Sequence, residues 1–178
     1  MSIRRGNLGA TAAPLVLGGV SAATTLTAAA ATPSCGLTCL DVFSVYGTFL
    51  DVGSHQVDPA VGQPVVLARA SNANPGEDFE FGSQGTVAEY YEAGLVGAAI
   101  NLAYSSFSAY EIQYAPFGLD TGLCVGVGAT PTEGTQITLQ LCGVSAKTVW
   151  IVDSNQTTGS SFALIDAATA SNFADRTC

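Results

Sequence analysis

Basic residues are the scarcest feature of this chain. Five Lys and Arg stand against fourteen Asp and Glu in 178 residues, a formal net charge of −9, with one histidine, one methionine and one tryptophan. A surface of that sign repels phosphate backbones and anionic lipids, so neither nucleic acid nor a peripheral membrane is an expected partner. The single histidine, His55, lies in the polar loop Gly53 to Val61 with Asp51 and Asp58 nearby. A flexible loop is a poor place to fix an imidazole against a nucleophile, and the sequence holds no Gly-x-Ser-x-Gly turn. Zinc-ligand spacing, a phosphate-cradling glycine loop and a dinucleotide fingerprint are also missing. The expectation is therefore no catalytic set, no metal site, no cofactor and no enzyme activity. Nor is there a strongly hydrophobic run of about 20 residues, the length that spans a bilayer. Helical periodicity is nearly absent after residue 31.

What is present first is an export signal. Arg4 and Arg5 precede a diluted apolar stretch, Leu8 to Val20, and Ala28 to Ala31 offers small-residue cleavage positions. Residues 1–31 are expected to be a cleaved leader, which makes the protein secreted, and 32–178 a single domain large enough for its own core. That domain keeps three basic residues (Arg69, Lys147, Arg176) against fourteen acids, a net charge of −11. Export also permits disulfides, and all five cysteines lie in this part: Cys35, Cys39, Cys124, Cys142 and Cys178.

The most structured stretch runs from Thr121 to Asp153. Leu123 to Val127 alternates like a half-buried strand, a Gly/Pro/Thr loop follows, and Thr135 to Leu141 alternates again, with Ile137, Leu139 and Leu141 on one side. Cys124 and Cys142 fall where these two strands can lie side by side. Trp150 follows in a third apolar run, Val149 to Val152. Similar segments separated by turn residues recur upstream, so the fold class expected is all-β.

The arrangement Gly122-Leu123-Cys124, Gly134, Leu141-Cys142-Gly143 and Thr148-Val149-Trp150 resembles one repeat of the ricin-type β-trefoil lectin family, whose pattern ends in Gln-x-Trp. Thr148 stands in place of the glutamine. The resemblance implies a β-trefoil-like single domain with three degenerate repeats, here about 39–81, 84–114 and 115–153, followed by a C-terminal tail. Phe79 then takes the role of Trp150, and Cys124 pairs with Cys142. In the middle unit Ala99 to Tyr104 reads as an alternating strand, and Tyr90-Tyr91 as a strand with one ring on each face. After Asp153, Ser154 to Ser161 reads as a polar turn and Phe162 to Ile165 as one more strand. The tail either completes the barrel against the N-terminal strand or extends from it. Cys35, Cys39 and Cys178 cannot all pair within one chain, and the spacing leaves their partners open.

Function follows from the same resemblance: a secreted, non-catalytic binding module with weak carbohydrate affinity. The alternative is a secreted protein-interaction or structural β domain with no sugar site, so the expected partners are a carbohydrate or another extracellular protein. In lectins of this type an aspartate near the end of a strand accepts hydrogen bonds from sugar hydroxyls. Asp51 matches that position; Gly126 and Gly97 hold it in the other units and offer no acceptor. Asn72 and Asn74 are candidates for the amide of the polar set, and Glu77 replaces the motif glutamine. No aromatic ring for stacking is visible on the neighbouring segments Gln63 to Ala68 and Gln136 to Leu141. The carboxylate pairs Glu77-Asp78 and Glu89/Glu92 are expected to be solvated surface.

Overall fold

The computed structural model describes residues 2–5, 39–44, 46–54, 56–71, 74–128, 134–158 and 161–170. His55, Asn72, Cys35 and Cys178 lie outside them. Ten strands among the described residues form one antiparallel sheet. They are β1 (Ser2–Arg5), β2 (Leu40–Phe43), β3 (Thr48–Asp51), β4 (Val66–Arg69), β5 (Phe79–Thr86), β6 (Ser108–Tyr114), β7 (Leu123–Val127), β8 (Ile137–Leu141), β9 (Val149–Thr158) and β10 (Ser161–Asp166). The order β1-β2-β5-β6-β9-β10 curls round until β1 lies against β10, a nearly closed barrel. Two hairpins stand off it, β3–β4 and β7–β8. They are stitched together where Gln63 O accepts from Leu139 N at 2.8 Å and Val65 N donates to Ile137 O at 2.9 Å. All-β is therefore the fold class observed.

The alternation read in the sequence holds in part: Leu141 is exposed, and Leu123–Val127, expected half-buried, is buried throughout because β6, β8 and the turn near Lys147 all pack on it. Leu139 is buried while Thr138 and Gln140 are only partly covered, because successive side chains of a strand face opposite ways. Val42, Leu50, Val52, Phe79, Ile112, Tyr114, Val125, Leu139 and Trp150 fill the barrel interior. Each hairpin is followed by a single 3-10 turn, Pro75–Glu77 after β4 and Ala146–Thr148 after β8, and each turn feeds a large ring into that core. Phe79 and Trp150 sit at the same distance beyond their turns. Trp150 Nε1 donates to Val125 O at 2.7 Å, so the indole is buried with its polar atom satisfied. Cys124 and Cys142 are joined by a disulfide. Cys39 is also disulfide-bonded.

Three local readings are corrected. Tyr90-Tyr91 lie on a helix, α1 (Val87–Glu92), and Ala99 to Tyr104 lie on another, α2 (Ala98–Tyr104). Thr86 starts α1 through a capping box: its Oγ1 accepts from Glu89 N at 3.3 Å and its own N–H donates to Glu89 Oε2 at 2.6 Å. The apolar pattern Ile100, Leu102, Tyr104 fits period two, but Ile100 and Tyr104 also stand one helical turn apart. The helix wins because Val87, Tyr90, Val96, Ile100 and Tyr104 then bury one face against Ala109, Val149, Ile151 and Ile165, a second core. Leu102 is left 89 % exposed. The third correction concerns the tail. The segment after Asp153 continues β9 to Thr158 instead of turning, and β10 pairs back along it, carrying the barrel towards β1.

Candidate functional site

Glycine decides how the hairpin ends meet the 3-10 turns. Val52 N donates to Gly76 O at 2.8 Å, which draws the end of β3 onto the Pro75–Glu77 turn. A Cβ on Gly76 would collide with Asp51 Oδ1 and crowd Gln56 Nε2 at 2.7 Å and Val52 O at 2.9 Å. In the later hairpin the glycine sits on the strand instead. A Cβ on Gly126 would collide with Lys147 O and meet Thr148 Cγ2 at 3.0 Å. The same close approach is solved from opposite partners, and only the first solution leaves room for an acidic side chain, Asp51, at the strand end.

Around Asp51 the structure brings together three of the four expected site residues. Asn74 caps the turn, its Oδ1 accepting from Gly76 N at 3.0 Å. Its amide nitrogen then lies 3.4 Å from Asp51 Oδ2 and 3.2 Å from Glu77 Oε1, bridging the two carboxylates. Glu77 Oε1 also accepts from Ser71 N at 2.9 Å. The remaining oxygens, Asp51 Oδ1 and Glu77 Oε2, are buried with no hydrogen-bond partner. Asn72, the fourth, lies outside the described residues.

The cluster is larger and more enclosed than the sequence indicates. Asp41 on β2 is 7 % exposed and its Oδ1 also has no partner. Leu40 pairs with Phe79, which sets Asp41 beside Asp78 across the strand boundary. Burial, then the charges of Glu77 and Asp78, push the Asp41 carboxyl up to about 6. Burial likewise raises Asp51, partly offset by Asn74, and Glu77, partly offset by the Ser71 N–H and then Asn74. Beneath them Tyr114 Oη lies 2.8 Å from Gln56 O and 3.0 Å from Pro75 O, so one hydroxyl proton serves two carbonyls. Tyr114 thereby fastens the loop carrying Gln56 onto the turn. Glu77-Asp78, expected as solvated surface, are buried; the cause is the docking of β5 between β2 and β6.

The contrast with Glu111 is instructive. It too is buried, but Thr148 Oγ1 and Gly143 N donate to Oε1 at 2.5 and 2.7 Å, and Ser83 Oγ donates to Oε2 at 2.9 Å. A carboxylate so served is a structural strut. Asp51 and Glu77 instead keep acceptor capacity in reserve.

A segment carrying an exposed ring packs against this turn, from a direction the sequence did not suggest. The Pro116–Gly118 turn packs against Pro75–Glu77, and Phe117 N donates to Asp78 Oδ2 at 2.9 Å. Phe117 has φ 57°, the only non-glycine at positive φ among the described residues, and is 53 % exposed. Among the described residues no three His, Cys, Asp or Glu are arranged to hold a metal ion. Comparison with known proteins returned no match to a family model, a curated protein or a solved structure.

Proposed function

We propose that the chain is a secreted, non-catalytic binding module of the ricin-type β-trefoil kind, with one weak carbohydrate site in its first unit. The trefoil reading is supported by the order of pairing. A barrel strand, a hairpin and a barrel strand recur as β2 to β5 and as β6 to β9, each with its 3-10 turn and buried ring. Asp51, Asn74 and Glu77, with Asn72, form the polar set, and Phe117 offers an apolar face for the sugar ring. The observation that carries the reading is the Asn74 amide held between two carboxylates whose other oxygens lack donors. Sugar hydroxyls are the donors that would complete them.

Asp51 and Glu77 are only 8 % and 3 % exposed, so a sugar must first lift the Gln56 loop. That cost keeps the expected dissociation constant millimolar, about 4 kcal/mol of binding. A glycan array on the exported protein tests the proposal. A galactose-type hit lost in Asp51→Ala supports it; strong binding that survives Asp51→Ala contradicts it.

The same burial favours a second reading, a secreted protein-interaction or structural β domain. Its supporting observation is the edge strand β4, where Val66 and Leu67 are exposed. A blank array would leave this reading in place.

A further inference from the structure

The row of acids at the start of the barrel points to a second ligand, of opposite charge. Asp41 lies between the buried Leu40 and Val42 on β2, with one carboxylate oxygen sealed from water and unpartnered. On one side of β2, β5 pairs at Leu40 and β3 at Phe43. The charges that side sets near Asp41 are those of Asp78, beside it, and Glu77. Like charges on neighbouring strands repel, and more strongly when little water intervenes. The other edge of β2 is held along its full length by β1, in the register Ser2↔Phe43, Ile3↔Val42, Arg4↔Asp41 and Arg5↔Leu40. The residue directly across from Asp41 is therefore basic. Nothing else described can replace it. Arg69 is paired with Thr48 at the far end of the β3–β4 hairpin, and Lys147 donates to Gly128 O at 3.1 Å.

We propose that the outer edge of β2, centred on Asp41, is a docking groove for an extended peptide with a basic residue opposite Asp41, and that Ser2–Arg5 is its occupant until export removes it. The inference rests on residues 1–31 being a cleaved leader and is independent of the sugar site. Cleavage withdraws the four residues that complete the barrel between β2 and β10. It leaves a row of unpaired backbone groups beside Asp41, with the basic residue across from it gone. Strand addition satisfies the backbone groups, and an Arg or Lys opposite Asp41 supplies the charge. The partner so defined is an extended basic segment of another protein.

The test uses a fluorescent peptide of residues 1–8 as probe. It is added at low salt to the protein recovered from the medium of expressing cells, with its N terminus read by mass spectrometry, and separately to the full chain. The processed protein should bind the peptide saturably, and the full chain, whose groove is filled, about tenfold more weakly. Arg4→Glu in the peptide, which leaves the protein untouched, should cost at least about tenfold, and Asp41→Asn in the protein a comparable loss. Four results would overturn the proposal: secreted protein that retains residues 1–31, no binding to the processed form, equal binding of the Arg4→Glu peptide, or a groove already filled. The last would appear as a concentration-dependent dimer that excludes the peptide, or as peptide binding that emerges only when residues 171–178 are deleted. A sugar bound by the array in any of these cases leaves the carbohydrate proposal standing.

Discussion

Raising the pH from 4 to 8 should destabilise this protein, the reverse of the usual acid denaturation. Asp41 is pushed up from 3.8 to about 6 by burial and by the charges of Glu77 and Asp78. Asp166 is pushed from 3.8 to about 7 by burial, although the N–H groups of Ala168 and Thr169 and the Lys147 charge pull it back. A carboxyl whose folded pKa lies above its unfolded value is held protonated by the fold. Its contribution is complete below pH 3.8 and is lost as the pH climbs to the folded pKa, so the slope lies between about pH 4 and 7 and flattens above. At about 1.4 kcal/mol per pKa unit the upper bounds are roughly 3 kcal/mol for Asp41 and 4 kcal/mol for Asp166. Relaxation and water penetration reduce both, leaving an expected loss of roughly 3 kcal/mol in total, a large share of a domain's typical 5–15 kcal/mol. Asp51 and Glu77, also raised, act in the same direction. Urea unfolding at half-unit pH steps measures the curve. Asp41→Asn, which mimics the protonated form, should flatten its part without loss at pH 4. Stability that climbs steadily from pH 4 to 8, or a slope that Asp41→Asn leaves unchanged, would refute the reasoning.

Other perturbations test the packing. Gly126→Ala drives a methyl into Lys147 O and should destabilise by roughly 2 kcal/mol or more, read as a lowered melting temperature. Ile100→Ala should cost about 2–5 kcal/mol, whereas Leu102→Ala should cost under about 0.5 kcal/mol; equal costs would favour a strand over α2. Replacing Cys124 and Cys142 with Ala opens a loop of 18 residues and should lower stability by about 3 kcal/mol in denaturant unfolding.

Sequence and structure agree most closely where one physical signal dominates. Leu123 to Val127 and Ile137 to Leu141 are short apolar segments joined by a turn-rich loop, with Cys124 in the first and Cys142 just after the second, so the strands and their pairing were legible and the disulfide fits them. The stretch from Ala99 to Tyr104 was not legible, because Ile100, Leu102 and Tyr104 satisfy both a two-residue and a four-residue spacing. Only the neighbouring wall of Val149, Ile151 and Ile165 decides between them. In the candidate site Asp51, Asn74 and Glu77 were named from the lectin resemblance alone, and the structure sets the three beside one another. Their enclosure could not be read from the sequence. It depends on Tyr114 fastening Gln56 across a separation of 58 residues and on Asp41 arriving from β2. Phe117 was equally hidden, since its exposure follows from a turn held by Asp78, 39 residues away.

The most direct test of the account is a nuclear magnetic resonance titration of the isotope-labelled full chain with galactose, following the Asn74 side-chain amide and the Gly76 N–H. Both signals should shift saturably with a millimolar dissociation constant, about 4 kcal/mol, and the shifts should be abolished in Asp51→Ala. Signals that stay in place at saturating sugar, or shifts that persist in Asp51→Ala, would contradict the proposed site.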